Sequence, residues 1–206
     1  TLGTAGLGAA GAFSGLGRPN IALLLTKGDI LYLREGFPEV SKGLRMYSVI
    51  LLAGGRSRRM GRDKAFLEWH GRPLIAELVE RLHEVSDDVI VVAPHPERFH
   101  GLAARLLPDP SPPVGPLGGL WAGLLSARHE WAFALACDMP LVDSAVIRWL
   151  FERRSGADAI VPVDIEGRPE PLHAFYRASC LNPIAAALAC GQRAVVAFYP
   201  AIRVRY

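Results

Sequence analysis

Residues 47–64 read YSVILLAGGRSRRMGRDK, and the join between the two halves of this stretch settles the fold class. The first half, YSVILLA (47–53), is an unbroken apolar run of strand length with no polar alternation. Such a strand is covered on both faces, as in a parallel sheet. The second half opens with Gly54 and Gly55 and then sets Arg56, Ser57, Arg58, Arg59, Arg62 and Lys64 along one short loop. These residues do not belong in a core. In open α/β sheets ligands lie beyond the carboxyl ends of the strands. A glycine pair at such a strand end lets backbone N–H groups approach an anion closely, and the flanking cations suit a polyphosphate. The competing reading is a solvated basic turn. Neither the G-x-G-x-x-G dinucleotide fingerprint nor the G-x-x-x-x-G-K-[ST] phosphate loop is present, so the loop is of another kind.

The same alternation runs outward along the chain. RPLIAELVERLHEV (72–85) places Leu74, Leu78, Leu82 and Val85 on one helical face. DVIVVA (88–93) and ARLLPD (104–109) read as strands, GPLGGLWAGLLSARHE (115–130) as a loop and helix, and WAFALAC (131–137) as a central strand. DSAVIRWLFERR (143–154) is a helix capped by Asp143 or Ser144. ADAIVPV (157–163) and LHAFYR (172–177) are strands. NPIAAALACG (182–191) is a helix with Asn182 as its cap and a closing glycine. Strands alternating with helices predict an α/β fold with a mostly parallel sheet and helices on both faces.

Residues 1–45 are expected to be an N-terminal extension, Gly- and Ala-rich and so expected to be flexible over 1–17, with one candidate strand in DILYLRE. The regular pattern occupies 46–206. A net charge of +3 on 206 residues argues against a general nucleic-acid binder. No apolar run approaches the roughly 20 residues of a membrane span, and no signal-peptide pattern opens the chain. The three cysteines show no metal-ligand spacing and suit a reducing compartment, so a cytoplasmic location is expected.

Three further segments carry candidate chemistry. Asp138, in CDMP, directly follows a central strand and is placed to hold Mg²⁺ against a triphosphate; a turn or cap aspartate is the alternative. Asp109, before Pro110, ends another strand and faces the glycine-rich GPLGGL, unless it is only a turn residue. Glu170 and His173 could line an acceptor pocket, or be a surface glutamate and an ordinary sheet histidine. Arg193, in GQRAV, could meet an acceptor phosphate or be an exposed arginine at a helix end.

LAGGRSRRMGRDK (52–64) resembles the signature L-A-[GA]-G-x-[SG]-x-R-M-G-x-[DP]-K of enzymes that move a nucleoside monophosphate from an NTP onto a phosphorylated acceptor. With GRPLI, the Asp109 segment and GPLGGL, CDMP, PLHAFYR and GQRAV in this order, residues 47 to about 196 are similar to the molybdenum cofactor guanylyltransferases. The cytidylyl relatives tend to read L-A-A-G and end the loop in Pro-Lys, whereas this chain has Gly54-Gly55 and Asp63-Lys64.

The resemblance implies a Rossmann-like nucleotidyltransferase fold, the substrates GTP and molybdenum-loaded molybdopterin, Mg²⁺ as cofactor, and other molybdenum cofactor proteins as partners. It implies nucleotide binding by Leu52, Ala53, Gly54, Gly55, Arg56, Ser57, Lys64, Asp109 and Asp138, catalysis by Lys64, Arg59 and Asp138, and the metal on Asp138. Two departures accompany it. Val92 and Pro94 stand where some members carry a nucleotide-contacting Asn, and the family's Asn-Thr-Pro segment would lie past Tyr206, so a C-terminal truncation is expected. A transferase of another phosphorylated acceptor, and a GTP- and molybdopterin-binding relative without transfer, remain the alternatives.

Overall fold

The computed structural model describes residues 23–26, 29–32, 46–54, 66, 68–69, 71–110 and 114–206. The loop residues Gly55, Arg56, Ser57, Arg59 and Lys64 lie outside them, as does most of the extension over 1–45. Within the extension, β1 (Leu23–Thr26) and β2 (Asp29–Tyr32) pair antiparallel.

From residue 46 the chain builds a seven-stranded sheet. Its strands are β3 (Ser48–Leu52), β6 (Val89–Ala93), β7 (Arg105–Pro108), β8 (Trp131–Ala136), β9 (Ala159–Ile160), β10 (His173–Arg177) and β11 (Val204–Arg205), in the order β11-β9-β10-β8-β3-β6-β7. A small antiparallel hairpin, β4 (Glu68–Trp69) with β5 (Arg72–Pro73), stands apart. β3 pairs parallel with β6 and β8, β6 with β7, and β9 with β11, while β10 runs antiparallel to both its neighbours. The sheet is therefore mostly parallel, with one reversed strand.

The unbroken apolar run of β3 is explained by cover on both sides. Val49 and Leu51 point into one core with Leu74, Ile75, Leu78, Val79 and Leu82 of α1 (Leu74–Leu82) and Val146, Ile147, Leu150 and Phe151 of α3 (Ser144–Glu152). Ile50 and Leu52 point into the other, with Leu117, Leu120 and Leu124 of α2 (Pro116–Ser126) and Ile184 of α4 (Leu181–Ala189). Each fully buried leucine or isoleucine side chain here contributes about 1.5–3 kcal/mol.

At the amino ends of β3 and β6 lies a buried polar knot. The carboxylate of Asp88 accepts from Ser48 Oγ at 2.6 Å, Arg105 Nη1 at 2.8 Å and Arg128 N at 2.9 Å. Burial alone pushes Asp88 up, but these donors outweigh it and hold its carboxyl below the usual range.

Several element boundaries differ from the sequence expectation. Helix α1 begins at Leu74, because Arg72 and Pro73 fold back on Glu68–Trp69 through Gly71, whose φ of 79° suits only glycine well. The strand expected over 157–163 is regular only at Ala159–Ile160. Pro162 has no N–H to continue the ladder, and its carbonyl accepts from Glu170 N at 2.9 Å. Asn182 does not cap α4: a 3-10 turn at Ala178–Cys180 runs straight into it, putting Asn182 and Pro183 in the first turn. Asp143 does cap α3, its Oδ1 accepting from Ala145 N at 2.7 Å. Strand β11 and the 3-10 segment Val195–Ala201 are not expected from the sequence pattern.

Candidate active site

Register brings the candidate residues into line. Leu52 is level with Val92 on one side and Ala136 on the other, and Val92 is level with Leu107. Two residues further on, Gly54, Pro94, Asp109 and Asp138 stand at the carboxyl ends of β3, β6, β7 and β8. The bonds Ala53 N to Val92 O (2.9 Å), Asp109 N to Ala93 O (2.8 Å) and Cys137 N to Leu52 O (3.1 Å) hold these ends together. On the far side of β8, the antiparallel register His173 to Leu135, with Ala136 N donating to Leu172 O at 3.1 Å, sets the entrance of β10 beside the end of β8, where a turn closed by His173 N on Glu170 O at 3.2 Å carries Glu170. Residues dispersed over more than a hundred positions thus share one edge, where ligands of such sheets bind.

Asp109 sits in a cradle of glycines. A Cβ on Gly54 would lie 3.5 Å from Asp109 Oδ2 and 3.3 Å from Pro94 Cδ. A Cβ on Gly119 would lie 3.4 Å from Asp109 Oδ1 and 3.1 Å from Leu52 Cδ2. One turn on, a Cβ at Gly123 would be 2.4 Å from Ile50 Cγ2. The glycines of GPLGGLWAG therefore let α2 lie directly on β3 and close against the Asp109 carboxylate. Among the described residues the Asp109 carboxylate has no hydrogen-bond or ion-pair partner, and burial pushes it up. A half-buried carboxylate left with free acceptors is suited to a ligand carrying N–H or O–H donors.

Asp138 is exposed, in the turn that follows β8. Among the described residues no three His, Cys, Asp or Glu side chains gather to hold a metal ion. A single exposed carboxylate beside the glycine loop fits Mg²⁺ shared with substrate phosphates, which is how that ion is usually held, and does not fit a protein cage.

The remaining candidates fall into place unequally. The carbonyl of Leu52 and the amide of Ala53 are used inside the sheet, so Gly54 is the exposed start of the loop. Beyond the loop, the Phe66 ring stacks on Phe99 at 5.1 Å, under the Arg98 guanidinium at 4.6 Å. Glu170 is half-buried; burial, then the charge of Asp164, push its carboxyl up, and Arg168 opposes them.

His173 corrects the sequence reading. It is 1% exposed and edge-on to the Phe133 ring at 5.0 Å, so it stands in the core and not on a pocket wall. Its burial pushes the imidazole down to about 4, keeping it neutral. Arg193 is exposed, and its carbonyl accepts from Leu117 N at 3.3 Å, in the first turn of α2. Gly115 (φ 76°) makes that approach possible, since a Cβ there would lie 3.2 Å from the same carbonyl oxygen.

A family model described as the MobA-like NTP transferase domain matches residues 49–202, which take in every strand of the large sheet except the last. The chain belongs to that family.

Among its relatives, a molybdenum cofactor guanylyltransferase from Pseudomonas entomophila is 38% identical over 159 residues, covering 76% of this chain and 83% of its own. One from Desulfosudis oleivorans is 40% identical over 158 residues, covering 76% and 78%. Among solved structures, molybdopterin-guanine dinucleotide biosynthesis protein A from Archaeoglobus fulgidus superposes with a TM-score of 0.66 at 27% identity, covering 77% of this chain and 82% of that one. A 2-C-methyl-D-erythritol 4-phosphate cytidylyltransferase from Thermus thermophilus shares the fold at a TM-score of 0.59 and 20% identity, with 77% and 87% covered. The nucleotidyltransferase fold that the loop signature implied is the one observed. No helix among the described residues is long and apolar enough to cross a membrane.

Proposed function

We propose that this member of the MobA-like NTP transferase family transfers GMP from GTP to the terminal phosphate of molybdenum-loaded molybdopterin, releasing pyrophosphate. The observation that carries this reading is the identity of 36–46% to molybdenum cofactor guanylyltransferases from several bacteria and archaea. The guanylyl form of the loop, Gly54-Gly55 and Asp63-Lys64, agrees with it.

An oxygen of the acceptor phosphate attacks the α-phosphorus of GTP. The bond from that phosphorus to the β,γ-pyrophosphate breaks, and its electron pair leaves with pyrophosphate. A diphosphate link joins pterin and guanosine. No side-chain nucleophile takes part, so the protein's task is positioning and charge neutralisation. The backbone from Gly54 onward, with Arg56, Ser57, Arg59 and Lys64, is assigned to the phosphates, and Asp109 in its glycine cradle to the nucleotide's donors. Asp138 holds Mg²⁺, which when bound neutralises charge on the triphosphate. Glu170, in the turn that enters β10 on the side of β8 away from Asp109, is assigned to the acceptor. Arg193 stays assigned to the acceptor phosphate through its exposed side chain.

The test is pyrophosphate release measured with GTP, CTP and ATP against molybdopterin. Release with GTP far above the other two is expected. Equal release from all three, or release only with a sugar 1-phosphate, would refute the assignment. GTP and molybdopterin binding without release would leave a carrier.

A further inference from the structure

The segment Pro169-Glu170-Pro171-Leu172-His173, at the entrance to β10, is fastened at nearly every backbone position. Pro169 bridges to Val163, and Glu170 N donates to Pro162 O at 2.9 Å. Glu170 O accepts from His173 N at 3.2 Å, and Leu172 O accepts from Ala136 N at 3.1 Å. The carbonyl between them, on Pro171, is held by a side chain: the hydroxyl of Tyr176 donates to it at 2.8 Å. Tyr176 is fully buried in the core that also holds α2 and α4. Its oxygen lies 2.7 Å from the hydroxyl of Tyr199. A phenol has one proton, and that of Tyr176 goes to Pro171, so Tyr199 is the donor within the pair. The direction of the Tyr176 bond is therefore fixed. Burial pushes both phenols well up, so neither ionises near neutral pH.

With the carbonyls of 170, 171 and 172 all bonded, the segment presents the Glu170 carboxylate half-buried at its rim. That carboxylate has no hydrogen-bond or ion-pair partner among the described residues.

We infer that Tyr176 is a positioning residue for the acceptor side of the site, holding the turn that carries Glu170 in place through the Pro171 carbonyl. The inference rests on the reading of Glu170 as an acceptor-side residue. One hydroxyl, reached from the core, sets the geometry of a carboxylate at the rim.

Tyr199 supplies the control. Tyr176→Phe keeps the ring and removes the bond to Pro171. Tyr199→Phe removes a hydroxyl from the same buried pair but leaves that bond in place. Calorimetric titration of each variant with molybdopterin, and separately with GTP, needs no turnover. The expected result for Tyr176→Phe is a loss of molybdopterin affinity of about three- to tenfold, the scale of one buried hydrogen bond, with GTP affinity unchanged. Tyr199→Phe should lower thermal stability comparably and leave both affinities unchanged, and Glu170→Gln should weaken molybdopterin alone.

Unchanged molybdopterin affinity in Tyr176→Phe would overturn the inference. So would a parallel loss for both ligands, an equal loss in Tyr199→Phe, or no loss in Glu170→Gln. Normal binding of both ligands without pyrophosphate release would instead refute the transfer reading and leave the role of Tyr176 standing.

Discussion

Two aspartates at opposite ends of the same sheet meet opposite fates. Asp88, at the amino ends of β3 and β6, is fully buried and bonded to Ser48, Arg105 and the Arg128 amide. Asp109, at the carboxyl end of β7, is half-buried against glycines, its carboxylate without a partner among the described residues. Donors hold the first carboxyl down against its burial, and burial alone pushes the second up. A carboxylate that joins the fold together is saturated by the protein. On the proposed reading Asp109 is kept for a ligand and is built in unsaturated, at some cost to stability until the ligand arrives. The sheet's two ends thus divide stability from function, and the division can be attacked from either side.

The largest effect is expected at the functional end. Asp138→Asn should lower turnover about 10²-fold or more while leaving the fold intact, since it removes the counterion of the metal–triphosphate complex and keeps the size of the side chain. Near-normal turnover at saturating Mg²⁺ would reduce Asp138 to a turn residue. The mirror image is Asp88→Asn. An amide there meets three donors with one acceptor oxygen, and the cost should be about 2–3 kcal/mol, read as a fall of roughly 5–10 °C in Tm. GTP affinity of the folded fraction should not change. Loss of nucleotide affinity in that variant would show that the two ends are coupled.

Smaller effects sharpen the contrast within the loop. Lys64→Ala should weaken GTP binding about tenfold, or ~1.4 kcal/mol, and Arg62→Ala by less than about threefold. Titration showing equal, small losses would assign phosphate binding to the backbone alone.

The smallest effect is a sign. Because the carboxyl of Asp109 is raised in the folded state, the native protein holds that proton to higher pH than the unfolded chain does. Stability contributed by this group therefore falls as pH rises from the unfolded value of about 3.9 through the folded one. Asp88, lowered, has the opposite slope: its contribution is present above about 3.9 and is lost as pH falls through the folded value. Asp109→Asn should then be no less stable than the parent at pH 7, while binding GTP less well. Denaturant melts of parent and variant at pH 4 and pH 7 compare the two, and a variant less stable at pH 7 would mean that Asp109 is a structural residue.

Much of this was legible in the chain itself. YSVILLA and DVIVVA could only be strands covered on both faces, and the helical face of Leu74, Leu78 and Leu82 could only turn inward. The end of each apolar run gave the height at which Gly54, Asp109 and Asp138 stand, because strand length and the carboxyl-end rule are local facts. Sequence also supplied the family, through the order of short motifs. What it left undecided was everything set by lateral neighbours. The reversal of β10, which brings the turn carrying Glu170 beside the end of β8, depends on a pairing across nearly forty residues. The burial of His173 depends on Phe133 in the adjacent strand, and the bond from Tyr176 to Pro171 on a phenol packed in the core behind it. Asp88 and Asp109 are the same residue type beside strands of the same kind. Only the folded chain brings Ser48, Arg105 and Arg128 to one and bare glycine to the other, because partner and dielectric are properties of neighbours in space and not in sequence.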